Sequence, residues 1–251
     1  MRRAIVTGAS GGLGLEFARL LAADRYDLVL IARSGEKLDA IAAELRDRHG
    51  VRVETLAMDL SKPGAAAAVR ARVPECEVLI NNAGFATNGR FDEIAEERIR
   101  EEVLLDVLTL TELTRSYVPG MRARGAGRIL NLGSTAGFLP GPFMAVYYAA
   151  KAYVISFSQA VAEELRGTGV TVTCLCPGAT ATGFAERAHA KETLLFKRHV
   201  ADAAEVALAG YRGMMRGRDL VIPGFSNKLV PLAARLSPRR LLLWISRKSV
   251  E

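Results

Sequence analysis

Tyr147 and Lys151 are the two residues of this chain whose chemistry is easiest to name: a phenol and an ammonium, four positions apart, in a stretch patterned as a helix over 147–166. Positions i and i+4 share one helix face, so the two groups can converge and handle a proton together. Such a pair alone arises by chance on many helices. Here Ser134 precedes Tyr147 by thirteen positions and closes the segment Asn131-Leu132-Gly133-Ser134 at the end of an apolar run.

A second chemical signal lies near the N-terminus. The run 4–7 passes directly into Thr7-Gly8-Ala9-Ser10-Gly11-Gly12-Leu13-Gly14, after which a helical pattern begins. Glycines permit a tight turn and close approach of backbone N–H groups to a pyrophosphate, and the helix N-terminus adds partial positive charge. A glycine-rich turn straight after a first strand therefore predicts a dinucleotide site. The next strand ends Ile31-Ala32-Arg33-Ser34, with no acid for a ribose 2'-hydroxyl and with Arg33 suited to a 2'-phosphate, so NADP(H) is preferred and NAD(H) is the alternative.

These groups need a scaffold. Short apolar runs at 4–7, 27–32, 52–57, 78–81, 128–132, 171–175 and 220–222 alternate with helical patterns at 13–23, 35–48, 64–72, 96–117, 147–166 and 201–216. Near-continuous runs such as Leu28-Val29-Leu30-Ile31 suit strands covered on both faces. The alternation predicts a doubly wound α/β fold, a single Rossmann-type domain on a buried parallel sheet. The division is 1–227 for the dinucleotide-binding and catalytic domain and 228–251 for a basic amphipathic extension packed on it.

Composition narrows the classes. Half of the 251 residues are apolar and the net charge is +7. The excess sits at the end, where Lys228, Arg235, Arg239, Arg240, Arg247 and Lys248 face only Glu251; no basic stripe with aromatics runs through the body, against nucleic-acid binding. Met1-Arg2-Arg3 leads directly into the first strand without a signal-peptide pattern, and the longest late apolar run is 241–245, so a cytoplasmic protein without a membrane span is expected. Cys76, Cys174 and Cys176 form no metal-ligand pattern and read as reduced core thiols.

Taken together, the motifs resemble the short-chain dehydrogenase/reductase family along almost the full chain. The resemblance rests on Thr7 to Gly14, Asp59-Leu60, Asn81-Asn82-Ala83-Gly84, Ser134, the Tyr147–Lys151 pair and Pro177-Gly178, in order and spacing. The tail with Ile222-Pro223-Gly224 is similar to a bacterial branch that also resembles hydroxysteroid and ketoacyl reductases. The resemblance implies an oxidoreductase: Tyr147 is the acid in reduction and the base in oxidation, and Ser134 holds the substrate oxygen. Lys151, with the oxidised cofactor, favours the phenolate and also binds the nicotinamide ribose.

By the same resemblance Gly8, Ser10, Gly12, Leu13 and Gly14 cradle the cofactor, and Asp59 and Leu60 meet the adenine. Asn81, Ala83 and Gly84 line the cleft, while Pro177, Gly178, Thr180 and Thr182 approach the carboxamide and phosphates. Asn81 could instead tie strands together. One position departs from the family: aligning on Leu113-Thr114 puts Asp106 where many members carry an Asn supporting a water behind the lysine. If the backbone carbonyl holds that water, Asp106 preserves the relay; if the side chain matters, its carboxylate could pair with Lys151. The first is favoured.

Phe138, Leu139, Pro140, Phe143 and Met144, with the segment 184–200, predict a largely apolar wall for a small carbonyl or alcohol substrate, and Arg187, Lys191 and Lys197 could meet an acidic group. Residues 236–248 could lie on a membrane surface, but a helix packed on the substrate lobe or a subunit interface is favoured. The helices at 96–117 and 147–166 imply a homodimer or homotetramer by resemblance. The expected activity is NADP(H)-dependent reduction of a ketone, aldehyde or ketoacyl group. The alternatives are an NAD-linked alcohol dehydrogenase and a non-catalytic dinucleotide-sensing regulator.

Overall fold

Leu28 and Leu30 point to one face of the second strand and Val29 and Ile31 to the other, and each pair joins a different hydrophobic cluster. The alternation is forced by the period of two along a strand, and both faces must be covered. In the computed structural model, which describes residues 2–187 and 200–250, seven parallel strands meet this demand. They are β1 (Arg3–Thr7), β2 (Asp27–Ala32), β3 (Val53–Ala57), β4 (Val78–Asn81), β5 (Gly127–Leu132), β6 (Val170–Leu175) and β7 (Leu220–Val221), ordered β3-β2-β1-β4-β5-β6-β7.

One face is covered by α1 (Gly12–Ala23), α2 (Gly35–His49) and α8 (Ala203–Met215), through Phe17, Leu21, Leu38, Leu45, Tyr211 and Met214. The other is covered by α3 (Ala65–Arg72), α5 (Leu110–Arg124) and α6 (Ala145–Glu164), through Val69, Leu113, Tyr117, Met121 and Leu165. The strand order reverses direction between β1 and β4, so their C-terminal ends open the crevice in which doubly wound sheets bind ligands.

Two elements differ from the sequence expectation. The helix expected at 96–117 is three pieces: α4 (Glu96–Val103), a π-helical stretch (Leu104–Thr109) and α5, which continues to Arg124 and stops at Gly125 in the left-handed region at φ 65. A π turn is hard to read from periodicity because it shifts the buried face by one residue within a single turn. The extension expected from 228 begins at Phe225 and forms two helices, α9 (Phe225–Leu236) and α10 (Arg239–Val250), divided at Ser237-Pro238. Proline supplies no backbone donor and restrains the residue before it, which separates them. Between β6 and α8 lies the short α7 (Phe184–Arg187). Among the described residues no helix is long and apolar enough to cross a membrane.

Candidate active site

The glycine turn leaves β1 with the Gly8 N–H donating to the Ile31 carbonyl at 2.8 Å. Gly8 holds φ 68, and a Cβ on Gly14 would stand 2.3 Å from the Gly8 oxygen, so no larger residue permits this closeness of turn and helix. Asn82 clamps the turn from β4: its side-chain nitrogen donates to the Thr7 and Gly8 carbonyls at 2.9 and 3.3 Å. Gly8, Gly12, Leu13, Asn82, Ala83 and Gly84 form one wall of a cavity of about 320 Å³. A backbone cradle this free of side chains fits a dinucleotide at the N-terminus of α1.

Ser134, Tyr147 and Lys151 line the same cavity, as do Pro177, Gly178, Thr180 and Thr182. Their alignment depends on the 3-10 turn Thr135–Phe138 lying against α6. A Cβ on Gly137 would come within 2.6 Å of the Lys151 carbonyl group, so glycine there brings the Ser134 loop onto the helix carrying the other two. Ser134 Oγ accepts from the Ala136 N–H at 3.1 Å, which orients the hydroxyl, and Ser134 hydrogen-bonds Tyr147. The Tyr147 ring packs on Phe184 at 5.3 Å between centroids, and the Lys151 ammonium lies 5.5 Å from the Tyr147 ring centre.

Lys151 donates to the Leu132 carbonyl at 3.1 Å, and its Nζ is 2.9 Å from Asp106 Oδ2. Both side chains are almost wholly buried. The favoured expectation for Asp106, that its backbone carbonyl holds the water behind the lysine, gives way to the alternative: the carboxylate pairs with Lys151. The cause is desolvation, because an ammonium and a carboxylate withdrawn from water must neutralise each other. The other Asp106 oxygen accepts from the Phe85 N–H at 3.2 Å, and Gly84 packs directly against the carboxylate.

These charges set the proton affinities. Burial raises the Tyr147 pKa above its usual 10.0, Lys151 and the Ser134 hydrogen bond pull it down, and Asp106 and Glu102 push it up again. The phenol is therefore held in its protonated form, where the lysine cation alone suggested phenolate. Burial opposes the Lys151 cation, but Asp106 and Tyr147 outweigh it and the lysine stays charged.

Glu102, which the sequence reading missed, lies one π-distorted turn before Asp106 and is fully buried. The Thr87 N–H and hydroxyl both donate to Glu102 Oε2, at 3.1 and 2.5 Å, and Oε1 has no partner among the described residues. Burial, with Asp106 adding to it against the Thr87 hydrogen bonds, pushes its pKa up to about 7. Asp106 pairs directly with the Lys151 ammonium, whereas Glu102 has no ion-pair partner among the described residues and titrates near neutrality.

Other expected site residues divide by position. Asn81 is corrected to a strand tie: it donates to Thr114 at 3.1 Å and Asn131 at 2.9 Å, buried beneath the cleft, and its neighbour Asn82 takes the cleft wall. Leu60 is in the core with its carbonyl taking the Thr109 hydroxyl, leaving only its backbone N–H to offer. Asp59 accepts from the Ser61 N–H and hydroxyl, and exposed Arg33 is near enough to favour its charge. Ser10 stays in the turn, half-buried.

Of the expected apolar wall, Leu139, Met144 and Phe184 line the cavity, whereas Phe138 packs against the cluster that holds Val154, Ile155, Cys174 and Cys176, and Phe143 lies under Arg247. Lys191 and Lys197 lie outside the described residues. The structure adds Asn227, Val230, Ile245, Ser246 and Ser249 from the last two helices, invisible in sequence because nothing local says which helix face turns inward.

The family model for short chain dehydrogenases matches residues 2–193, across the turn, the Ser134 loop and α6. The chain belongs to this family. The family is one of oxidoreductases that act on CH–OH or carbonyl groups with a nicotinamide dinucleotide. It is 34% identical over 180 residues to a very-long-chain 3-oxoacyl-CoA reductase of Pyrenophora tritici-repentis, covering 68% of this chain and 53% of that one. With the human enzyme of the same name it shares 32% over 189 residues, 73% of this chain and 61% of that one. The match thus spans little more than half of these longer relatives. Among solved structures, a short-chain dehydrogenase from Sphingobium yanoikuyae in complex with NADPH is 36% identical with a TM-score of 0.86, covering 94% of this chain and 93% of that one. The bulky-bulky ketone specific alcohol dehydrogenase from Comamonas testosteroni is 30% identical with a TM-score of 0.81 and the same coverage.

Two variants test the buried charges. Asp106→Asn removes the charge that raises Tyr147, so turnover should stay within about tenfold of the parent while the alkaline limb of carbonyl reduction moves to lower pH. Glu102→Gln keeps the neutral shape, so an inflection near pH 7 in the parent profile should disappear. Because the folded pKa of Glu102 lies above its ordinary 4.5, its stabilising effect is lost as pH rises through about 7. Glu102→Gln should therefore raise Tm more at alkaline than at acid pH, measured by thermal melts.

Proposed function

We propose that the enzyme reduces the carbonyl of an apolar ketone or 3-oxoacyl group with NADPH. The observation that carries this reading is the set of Ser134, Tyr147 and Lys151 lining one cavity with the glycine turn; burial keeps the Tyr147 phenol protonated there. A proton donor is loaded for reduction when its pKa lies above the working pH. A nicotinamide dinucleotide held by the glycine turn would supply the hydride.

In this reading Ser134 and Tyr147 hold the carbonyl oxygen, and the developing negative charge is met by two aligned donors. The Tyr147 hydroxyl gives its proton to that oxygen. Lys151 keeps a positive charge near the resulting phenolate, and Asp106 keeps Lys151 in place. Leu139, Met144 and Phe184 exclude water from one side of the cavity, which suits a substrate with an alkyl or ring substituent beside the carbonyl. The names of the relatives, 3-oxoacyl-CoA and bulky-ketone enzymes, favour the same chemistry.

The preference for the phosphorylated cofactor rests on Arg33 at the end of β2, exposed and without an acid in the position that would repel a 2'-phosphate. The NAD-linked reading is weaker because β2 is followed by Arg33 and by no acid for a ribose 2'-hydroxyl, and the regulator reading because the full Ser-Tyr-Lys set is assembled. The reading includes a cytoplasmic homo-oligomer. Its contact would use α4, the π stretch and α6, where Val103, Leu108 and Tyr153 are exposed and the Thr111 and Tyr153 hydroxyls join across 3.0 Å.

A panel of ketones, aldehydes and 3-oxoacyl thioesters assayed by NADPH consumption should show turnover with apolar ketones or 3-oxoacyl thioesters and a KM for NADPH at least about tenfold below that for NADH. Arg33→Ala should remove most of that preference and leave kcat with saturating cofactor little changed. Equal KM values in the parent would overturn the cofactor assignment.

A further inference from the structure

Helix α9 is inside out for a helix packed on a soluble domain. Phe225, Leu229, Leu232 and Leu236 follow one another at i, i+4, i+7 and i+11, a single stripe, and are 81%, 50%, 55% and 74% exposed. No residue of α9 is buried. The opposite side turns inward, and from it Asn227 and Val230 reach the cavity wall. Helix α10 continues the pattern: Leu242 and Ser246 face in, whereas Leu241 and Trp244 are exposed beside Arg240 and Lys248. The Lys248 ammonium lies 4.4 Å over the Trp244 ring. Between Asp219 and Glu251 the chain has no acid, and its six basic residues all lie on or between these two helices.

We propose that α9 and α10 dock the enzyme peripherally on an anionic lipid surface, with the leucine stripe and Trp244 in the headgroup boundary and the basic side chains on lipid phosphates. Each helix has 12 residues, about 18 Å at 1.5 Å per residue, too short for a hydrocarbon core of about 30 Å. An apolar face flanked by Lys and Arg with a Trp is the composition of a helix lying in the interface. On α9 the apolar stripe thus faces outward rather than toward the domain.

Charge decides between occupants. A second copy seated by a two-fold axis on this face would bring Lys228, Arg235, Arg240 and Lys248 against the same cations. An anionic bilayer meets both the stripe and the cations at once, at about 1 kcal/mol per cation. Because the inner sides of the same helices wall the cavity, the docked surface lies next to the substrate site, and an alkyl-bearing substrate dissolved in lipid would need only a short path. The docking itself does not depend on which carbonyl compound is reduced.

The test is sedimentation of the full chain with vesicles of phosphatidylcholine alone or mixed with phosphatidylglycerol. The expected result is at least about tenfold tighter binding to the mixed vesicles, weakened by salt. Leu229→Glu with Leu232→Glu should abolish that binding while leaving reduction of a water-soluble ketone unchanged. Lys228→Gln with Arg235→Gln and Arg240→Gln, which spares the stripe, should weaken it by about a hundredfold. Absence of binding to mixed vesicles, or binding indifferent to these substitutions, would overturn the proposal. So would light scattering in which Leu229→Glu with Leu232→Glu splits an oligomer of a parent that ignores vesicles, since a second copy would then be the occupant.

Discussion

A lysine ammonium buried beneath the reactive tyrosine needs a counter-charge, and the rest of the site is arranged around supplying it. Asp106 stands 2.9 Å from Lys151 in the part of the fold least able to solvate either. Breaking such a pair leaves an uncompensated buried charge, a cost of about 3–5 kcal/mol, so both partners are held by further bonds. Lys151 is anchored to the Leu132 carbonyl at the end of β5, and Asp106 to the Phe85 N–H beyond β4. The ion pair thus ties together two strand ends, the π stretch and α6.

This constraint also explains the protonation pattern. A carboxylate that neutralises the lysine lessens the pull of the lysine on Tyr147, and burial leaves the phenol protonated. The arrangement suits an acid that must be loaded before the carbonyl arrives. Glu102 extends it: a second buried carboxyl near the first, with no ion-pair partner of its own among the described residues, is pushed up to about 7 and changes charge near neutrality. The dinucleotide side is built by different means, from backbone and a clamp by Asn82, because close approach to phosphates demands an absence of side chains.

Much of this was legible in the sequence. The strands at 27–32 and 78–81 coincide with β2 and β4, because a two-sided apolar run bounded by turn residues admits few alternatives. The glycine turn and the Ser134, Tyr147 and Lys151 set were readable from spacing, since each depends on local geometry. Asp106 stands out in the sequence as an odd residue with Lys151 as one possible partner, but whether its carboxylate bonds through the side chain depends on burial, a tertiary property. Glu102 is hidden among the charged residues around it, most of them exposed, and which of Asn81 and Asn82 faces the cleft is set by the strand's pleat, which spacing alone does not fix. The inward side of α9 could not be inferred, since an apolar stripe ordinarily turns toward the core.

The claim on which the rest stands is that Tyr147 gives the proton and that Lys151, held by Asp106, supports it. Tyr147→Phe removes one oxygen and keeps the ring against Phe184. Steady-state reduction of a responsive ketone, with NADPH affinity measured separately by fluorescence titration, tests this directly. The account predicts a fall in kcat of at least about a hundredfold with NADPH affinity within severalfold of the parent. Turnover near the parent level, with the cofactor bound as before, would contradict it.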